Sequence, residues 1–112
     1  MQSDASNSEV ITKIKEQIAN NPIILYMKGS PQFPQCGFSA QVVQVLKVLG
    51  VTNYAAINIL EHPDIRRELP IYADWPTFPQ LYVKGELIGG CDIVVELYQS
   101  GELKEILATA AG

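Results

Sequence analysis

Lys28-Gly29-Ser30-Pro31-Gln32-Phe33-Pro34-Gln35-Cys36-Gly37-Phe38-Ser39 is the segment around which the chain is ordered. The apolar run Ile23-Ile24-Leu25-Tyr26-Met27 leads into it. Phe38, Val42, Val45, Leu46 and Leu49 then recur at helical spacing on one face until Gly50 stops the pattern. The reading is strand, loop, helix, with Cys36 at the mouth of the helix. A helix start offers backbone N–H groups without intrahelical partners and the positive end of the macrodipole, and both favour a thiolate over a thiol. Lys28, at the end of the strand, adds a full positive charge nearby. Cys36 therefore reads as a reactive or metal-binding sulfur.

Upstream, Ile11, Ile14 and Ile18 recur with Lys13, Lys15 and Glu16 between them. This predicts an amphipathic helix begun by Asn7 or Ser8 and ended at Asn20-Asn21-Pro22, with residues 1–7 a flexible tail ahead of one domain over residues 8–112. The run Ile23 to Met27 does not alternate with polar residues, which predicts a strand buried on both faces. Downstream, a short strand is expected from about Tyr54 to Ile59. A helix then opens at Pro63-Asp64, with Ile65, Leu69 and Tyr72 inward and Pro70 ending or kinking it. Trp75-Pro76-Thr77-Phe78-Pro79 forces extended, turning backbone. Gln80 to Val83 and Glu86 to Gly89 flank Lys84-Gly85, the signature of a β-hairpin. Gly90-Cys91-Asp92 opens a further helix carrying Ile93, Val94, Leu97 and Tyr98, and Ser100-Gly101 breaks it. A last helix runs from Glu102 to Ala110 with Leu103, Ile106 and Leu107 inward. The order α-β-α-β-α-β-β-α-α gives an α/β fold of thioredoxin-like topology, a four-stranded mixed sheet flanked by about five helices.

A chain of 112 residues, 47% apolar and 18% charged, is one globular domain's worth and can bury a core without staples. Its net charge of −4 argues against a nucleic-acid-binding surface, and no apolar run approaches membrane-spanning length. The polar, acidic start lacks the basic and apolar regions of a signal peptide. The expected location is cytoplasmic, or the mitochondrial matrix or a plastid if a transit peptide has been removed. Cys36 and Cys91 lie far apart in sequence, and a reducing compartment with functional thiols is the reading. Cys91 by itself also fits a small buried hydrophobe.

Four blocks, Lys28-Gly29, Cys36-Gly37-Phe38-Ser39, Trp75-Pro76-Thr77-Phe78-Pro79 and Gly89-Gly90-Cys91-Asp92, each fall where the topology needs them. Together they resemble the monothiol glutaredoxins of the Cys-Gly-Phe-Ser type, from about Ser8 onward, which implies the glutaredoxin variant of the fold. A serine oxygen at position 39 cannot close a disulfide with Cys36, so Cys36 must use another thiol. The resemblance implies glutathione. It also implies that Lys28 meets one glutathione carboxylate and Arg66 the glycine end. Relatives often carry a lysine shortly after the position of Arg66, where this chain has Pro70 and Ile71. For Thr77-Phe78-Pro79 the resemblance implies a cis Phe78–Pro79 peptide, with Phe78 pairing to the cysteinyl backbone of glutathione as a short strand would. Gly90, Cys91 and Asp92 would receive the γ-glutamyl end at a helix start, where Asp92 either meets its ammonium or caps its own helix. Phe38 would shield one side of the sulfur. Trp75, Tyr26 and Tyr72 read as packing residues, and His62 as a surface or capping residue rather than a metal ligand.

Two functions follow as expectations. A 2Fe–2S cluster wants four sulfur ligands. Two chains, each giving Cys36 and one bound glutathione thiolate, reach that count as a cluster-bridged homodimer. The resemblance implies cluster assembly and transfer to apo iron–sulfur proteins, with BolA-type proteins as partners. The alternative is a glutathione-dependent thiol–disulfide oxidoreductase that removes glutathione from protein thiols, with Cys36 as nucleophile and glutathione as resolving thiol. A Cys36–Cys91 disulfide requires Cα atoms within about 7 Å.

Overall fold

The computed structural model describes the backbone of residues 2–111 and the side chains of residues 8–110. Its elements follow the expected order: α1 (Gln2–Asn20), β1 (Ile23–Met27), α2 (Gly37–Val48), β2 (Ala55–Asn58), α3 (Pro63–Ala73), β3 (Gln80–Val83), β4 (Glu86–Gly89), α4 (Cys91–Ser100) and α5 (Glu102–Ala111). The sheet order is β2-β1-β3-β4. β1 runs parallel to β2 and antiparallel to β3, and β3 pairs antiparallel with β4, so this is the thioredoxin-like glutaredoxin fold with a mixed sheet.

β1 is central and buried along its whole length, as its unbroken apolar run requires. Alternate side chains feed two cores. Ile23, Leu25 and Met27 pack with Val42, Leu46, Val94, Leu103 and Leu107 beneath α2, α4 and α5. Ile24 and Tyr26 pack with Ile14, Ile18, Ile65 and Leu69 beneath α1 and α3. Burying each such aliphatic side chain contributes about 1.5–3 kcal/mol. The loss of one from the centre, as in Leu25→Ala, costs about 2–5 kcal/mol. Lys84 and Gly85 take φ of 53° and 84°, the doubly left-handed turn that matches hairpin twist.

Four local readings differ from the sequence expectation. α1 begins at Gln2 rather than at Asn7 or Ser8, and the side chains of the tail expected over residues 1–7 lie outside the described residues. Pro70 does not end α3, which continues to Ala73 before Asp74 turns left-handed at φ 52°. A proline this close to the C-terminus removes a single ladder bond, to the Arg66 carbonyl, while Ile65 and Leu69 anchor the helix in the core. Tyr72 is not inward: it is exposed, with the Lys15 ammonium 6.0 Å from its ring centre. Its spacing from Leu69 is right, but the helix end has passed beyond the core, and the smaller Ala73 packs there instead. Phe38 is likewise exposed, although it shares a helical stripe with Val42.

Candidate functional site

Cys36 occupies the N-cap of α2, with extended backbone at φ −152° and ψ 136°. An N-cap side chain lies beside the N–H groups of the first turn, the position that Ser, Thr, Asp or Asn more often fills. The Cys36 thiol is held below its ordinary pKa chiefly by the Ser39 backbone N–H, with smaller help from the Phe38 N–H, the Lys28 charge and the Ser39 hydroxyl; partial burial opposes them. As a neutral thiol it makes no side-chain capping hydrogen bond. Those N–H dipoles therefore favour the anion over the thiol.

The loop before Cys36 is pinned at three places. The Lys28 N–H donates to the Ser39 hydroxyl at 3.1 Å, and the Lys28 carbonyl accepts from the Gln35 N–H at 2.9 Å. The Gly29 N–H donates to Asn58 Oδ1 at 2.9 Å, tying the loop to the end of β2. Gly29 sits at φ +92°, and a Cβ there would lie 2.5 Å from the Phe33 carbonyl oxygen, so only glycine fits. Ser39 is fully buried, and its hydroxyl is an anchor for the Lys28 backbone.

Cys36 opens onto a cleft of about 520 Å³, a volume typical of small-molecule sites. Lys28, Phe38, Arg66 and Pro70 line one part of it, and Trp75 to Pro79 form a wall. Gly90, Cys91, Asp92 and Ile93, at the start of α4, complete the rim. The structure thus brings together every residue that the sequence singled out: Lys28, Cys36, Phe38, Arg66, Thr77, Phe78, Pro79, Gly90, Cys91 and Asp92. The Phe78–Pro79 peptide is cis. His62 caps α3 without a side-chain bond. Among the described residues, no group of three or more His, Cys, Asp or Glu could hold a metal ion.

Cys91 is the first residue of α4 after the N-cap Gly90. It is buried, and its thiol donates to Gln41 Oε1 at 3.1 Å. Burial pushes its pKa up, and the charges of Asp92 and Cys36 add to that. Both cysteines are free thiols.

Two residues contribute more than the sequence reading assigned. Trp75, read from sequence as a packing residue, belongs to neither hydrophobic core and lines the cleft instead. Its indole Nε1 is buried without a hydrogen-bond partner and lies against Gly90, where a Cβ would come within 3.3 Å of it and 3.2 Å of the Pro79 carbonyl oxygen. Gln80 was not singled out at all, yet it is fully buried behind the wall. Its signal was available, as a polar residue at the head of the otherwise apolar run Leu81-Tyr82-Val83.

Residues 23–88 match the family described as Glutaredoxin. The chain is 62% identical over 104 residues to Glutaredoxin 4 of Escherichia coli (strain K12), covering 93% of this chain and 90% of that protein. It is similar to the solution structure of reduced poplar apo GrxS14, with a TM-score of 0.77, 48% identity and coverage of 91% and 93% of the two chains. The crystal structure of a buckwheat glutaredoxin–glutathione complex shares the fold, with a TM-score of 0.83 at 24% identity over 96% and 94% of the chains. No helix among the described residues is long and apolar enough to cross a membrane.

Proposed function

This chain belongs to the glutaredoxin family, in its monothiol Cys-Gly-Phe-Ser type, and we propose that it binds glutathione beside Cys36 and carries a 2Fe–2S cluster between two copies of itself. One observation carries the reading. The activated Cys36 sulfur faces a cleft with cations at Lys28 and Arg66, while the first-turn position that could hold a resolving thiol holds the buried, engaged hydroxyl of Ser39.

Glutathione has two carboxylates and one ammonium, and the cleft offers a matching charge arrangement. Lys28 and Arg66 present cations, the N–H groups at the start of α4 receive a carboxylate, and Asp92 accepts from the ammonium. Thr77, Phe78 and Pro79 supply the backbone wall against which the tripeptide lies, and Phe38 screens the sulfur from one side.

The cluster is cargo, and the donor set fits it only in company. An iron–sulfur cluster takes four sulfur ligands. The described residues offer no preformed metal site, and Cys91 is buried, protonated and turned to Gln41. The missing sulfurs come from glutathione and a second chain. Gly37 leaves open space beside Cys36, because a Cβ built there meets nothing within 4 Å. Two ligands held non-covalently make such a cluster easy to hand on to an apo iron–sulfur protein, or to share with a BolA-type partner. The functional unit is the single domain of residues 8–112.

The test is reconstitution with iron, sulfide and glutathione. The expected result is a visible-absorbing species of twice the monomer mass that Cys36→Ser abolishes. A colourless monomer under all conditions overturns the carrier reading. The depressed pKa of Cys36 favours a second reading, removal of glutathione from protein thiols. The Cys36 thiolate would attack the glutathione sulfur of the mixed disulfide, and the released protein thiolate would take up a proton. A second glutathione thiolate would then attack the Cys36 adduct, giving glutathione disulfide and regenerating Cys36. Brisk turnover of a glutathionylated peptide by a protein that loads no cluster would put this reading first.

A further inference from the structure

We propose that Gln80 is a positioning residue for the cleft, a buried side-chain clamp that sets where the Trp75–Pro79 wall stands. The inference rests on the reading of the cleft as a glutathione site and extends it to a residue that does not touch the ligand.

The wall has a hydrogen-bonding deficit written into its sequence. Pro76 and Pro79 carry no N–H, so two of its five residues cannot donate to any ladder. The Trp75 N–H is turned back to the Pro70 carbonyl at 3.0 Å, closing the end of α3 rather than joining the sheet. The wall's carbonyls therefore need donors from elsewhere. Gln80 supplies them, its Nε2 donating to the Trp75 carbonyl at 3.0 Å and to the Thr77 carbonyl at 3.2 Å. A primary amide has two N–H donors on one nitrogen, so one side chain fixes both carbonyls on either side of Pro76.

The amide is itself held. Gln80 Oε1 accepts from the Tyr82 hydroxyl at 2.8 Å. The Tyr82 phenol is pushed up to about 12, first by burial, so it stays a donor. Its ring stands edge-on to Tyr26 in the central strand, with centroids 5.7 Å apart. The position of the wall is thus referred through Gln80 and Tyr82 to β1, the most buried strand of the molecule. The residues nearest to glutamine in shape do not meet these demands. Glutamate is acceptor-only when ionised and would face two carbonyl oxygens, asparagine is a methylene short, and leucine leaves both carbonyls without their donor.

The test compares wild type, Gln80→Glu, Gln80→Leu and Tyr82→Phe. One readout is affinity for S-methylglutathione by calorimetry, and the other is acrylamide quenching of Trp75, the only tryptophan of the chain. A role confined to global stability would lower the melting temperature while leaving both readouts of the folded protein unchanged. The positioning role predicts folded Gln80 variants that lose affinity about tenfold, with Trp75 quenched about twice as readily before any ligand is added. Tyr82→Phe keeps the ring packing and frees the amide oxygen, and a loss of about threefold is expected. Affinity and quenching within error of wild type, in whichever of these variants folds, overturn the proposal. Failure of the wild type itself to bind S-methylglutathione would remove the glutathione reading, and unliganded quenching would still decide the role of Gln80.

Discussion

Helices α2 and α4 each have a cysteine at their N-terminal mouth, and the two sulfurs are driven in opposite directions. Cys36, at the N-cap of α2, is partly exposed and held below the ordinary thiol range by the Ser39 N–H first of all. Cys91, one residue further into α4, is buried and pushed above that range by burial, then by Asp92 and Cys36. A helix start is therefore not enough to activate a thiol. At the N-cap the sulfur sits beside the first-turn N–H groups, whereas the Cys91 thiol instead meets Gln41 across on α2. The macrodipole contributes about 0.3–1 kcal/mol at an exposed end. That is too little to offset the desolvation of a charged sulfur in a closed position.

The sharpest way to break this contrast is alkylation with iodoacetamide, followed by mass spectrometry on Cys36→Ser and Cys91→Ser. At pH 7, Cys36 is expected to react about a hundredfold faster than Cys91, because only the thiolate attacks and access differs as well. The sign of the pH dependence follows from the two shifts. The Cys36 rate reaches its plateau below the pH at which a free thiol would, and the Cys91 rate is still climbing above it. Equal rates, or a Cys91 plateau at the lower pH, would end the contrast.

The glycines at the two helix mouths extend it from sulfur to backbone. A Cβ at Gly37 meets nothing within 4 Å, while one at Gly90 meets the Pro79 carbonyl oxygen at 3.2 Å and Trp75 Nε1 at 3.3 Å. Gly37→Ala is expected to fold with equal or slightly greater stability, by about 0.4–1 kcal/mol, through the loss of unfolded-chain freedom. Gly90→Ala requires the Pro79 carbonyl or the Trp75 indole to give by a few tenths of an ångström and is expected to weaken glutathione binding about tenfold, at a stability cost of about 1–3 kcal/mol. Calorimetry and thermal melts on the pair check both halves. An indifferent Gly90→Ala would mean that the wall and α4 are free to part.

What could be read from the sequence follows the same division between local and long-range causes. The central strand, the Lys84-Gly85 hairpin and the position of Cys36 were legible because each depends on neighbours in the chain. Pro70 does not end α3 at once because its effect depends on how much helix remains beyond it and on the anchoring of Ile65 and Leu69, which is tertiary. Periodicity placed Tyr72 inward and put Phe38 on the apolar stripe of α2, but it gives the direction of a stripe and not the point where the core beneath it stops. The cleft residues came together because four motifs resembled one family's. Gln80 escaped because a buried amide serving two carbonyls leaves only one trace in sequence, a polar residue where an apolar one was due.

The smallest effect tests the order of causes at Cys91. Asp92, exposed at the first turn of α4, contributes to the raised pKa of Cys91 through its negative charge, but less than burial does. Removing that charge in Asp92→Asn lowers the cost of forming the thiolate, so Cys91 alkylation at a fixed pH must rise. The rise is expected to be about twofold to threefold, the size of a partly screened surface charge acting on a neighbour. Burial still dominates after the change, so the gap to Cys36 stays open, and Cys36 itself, whose lowered pKa does not draw on Asp92, keeps its rate. If Asp92→Asn instead brought Cys91 up to the rate of Cys36, charge rather than desolvation would be holding the second sulfur silent. The pocket would then contain two poised thiols, and the glutathione-supplied ligand would no longer be the only sulfur within reach.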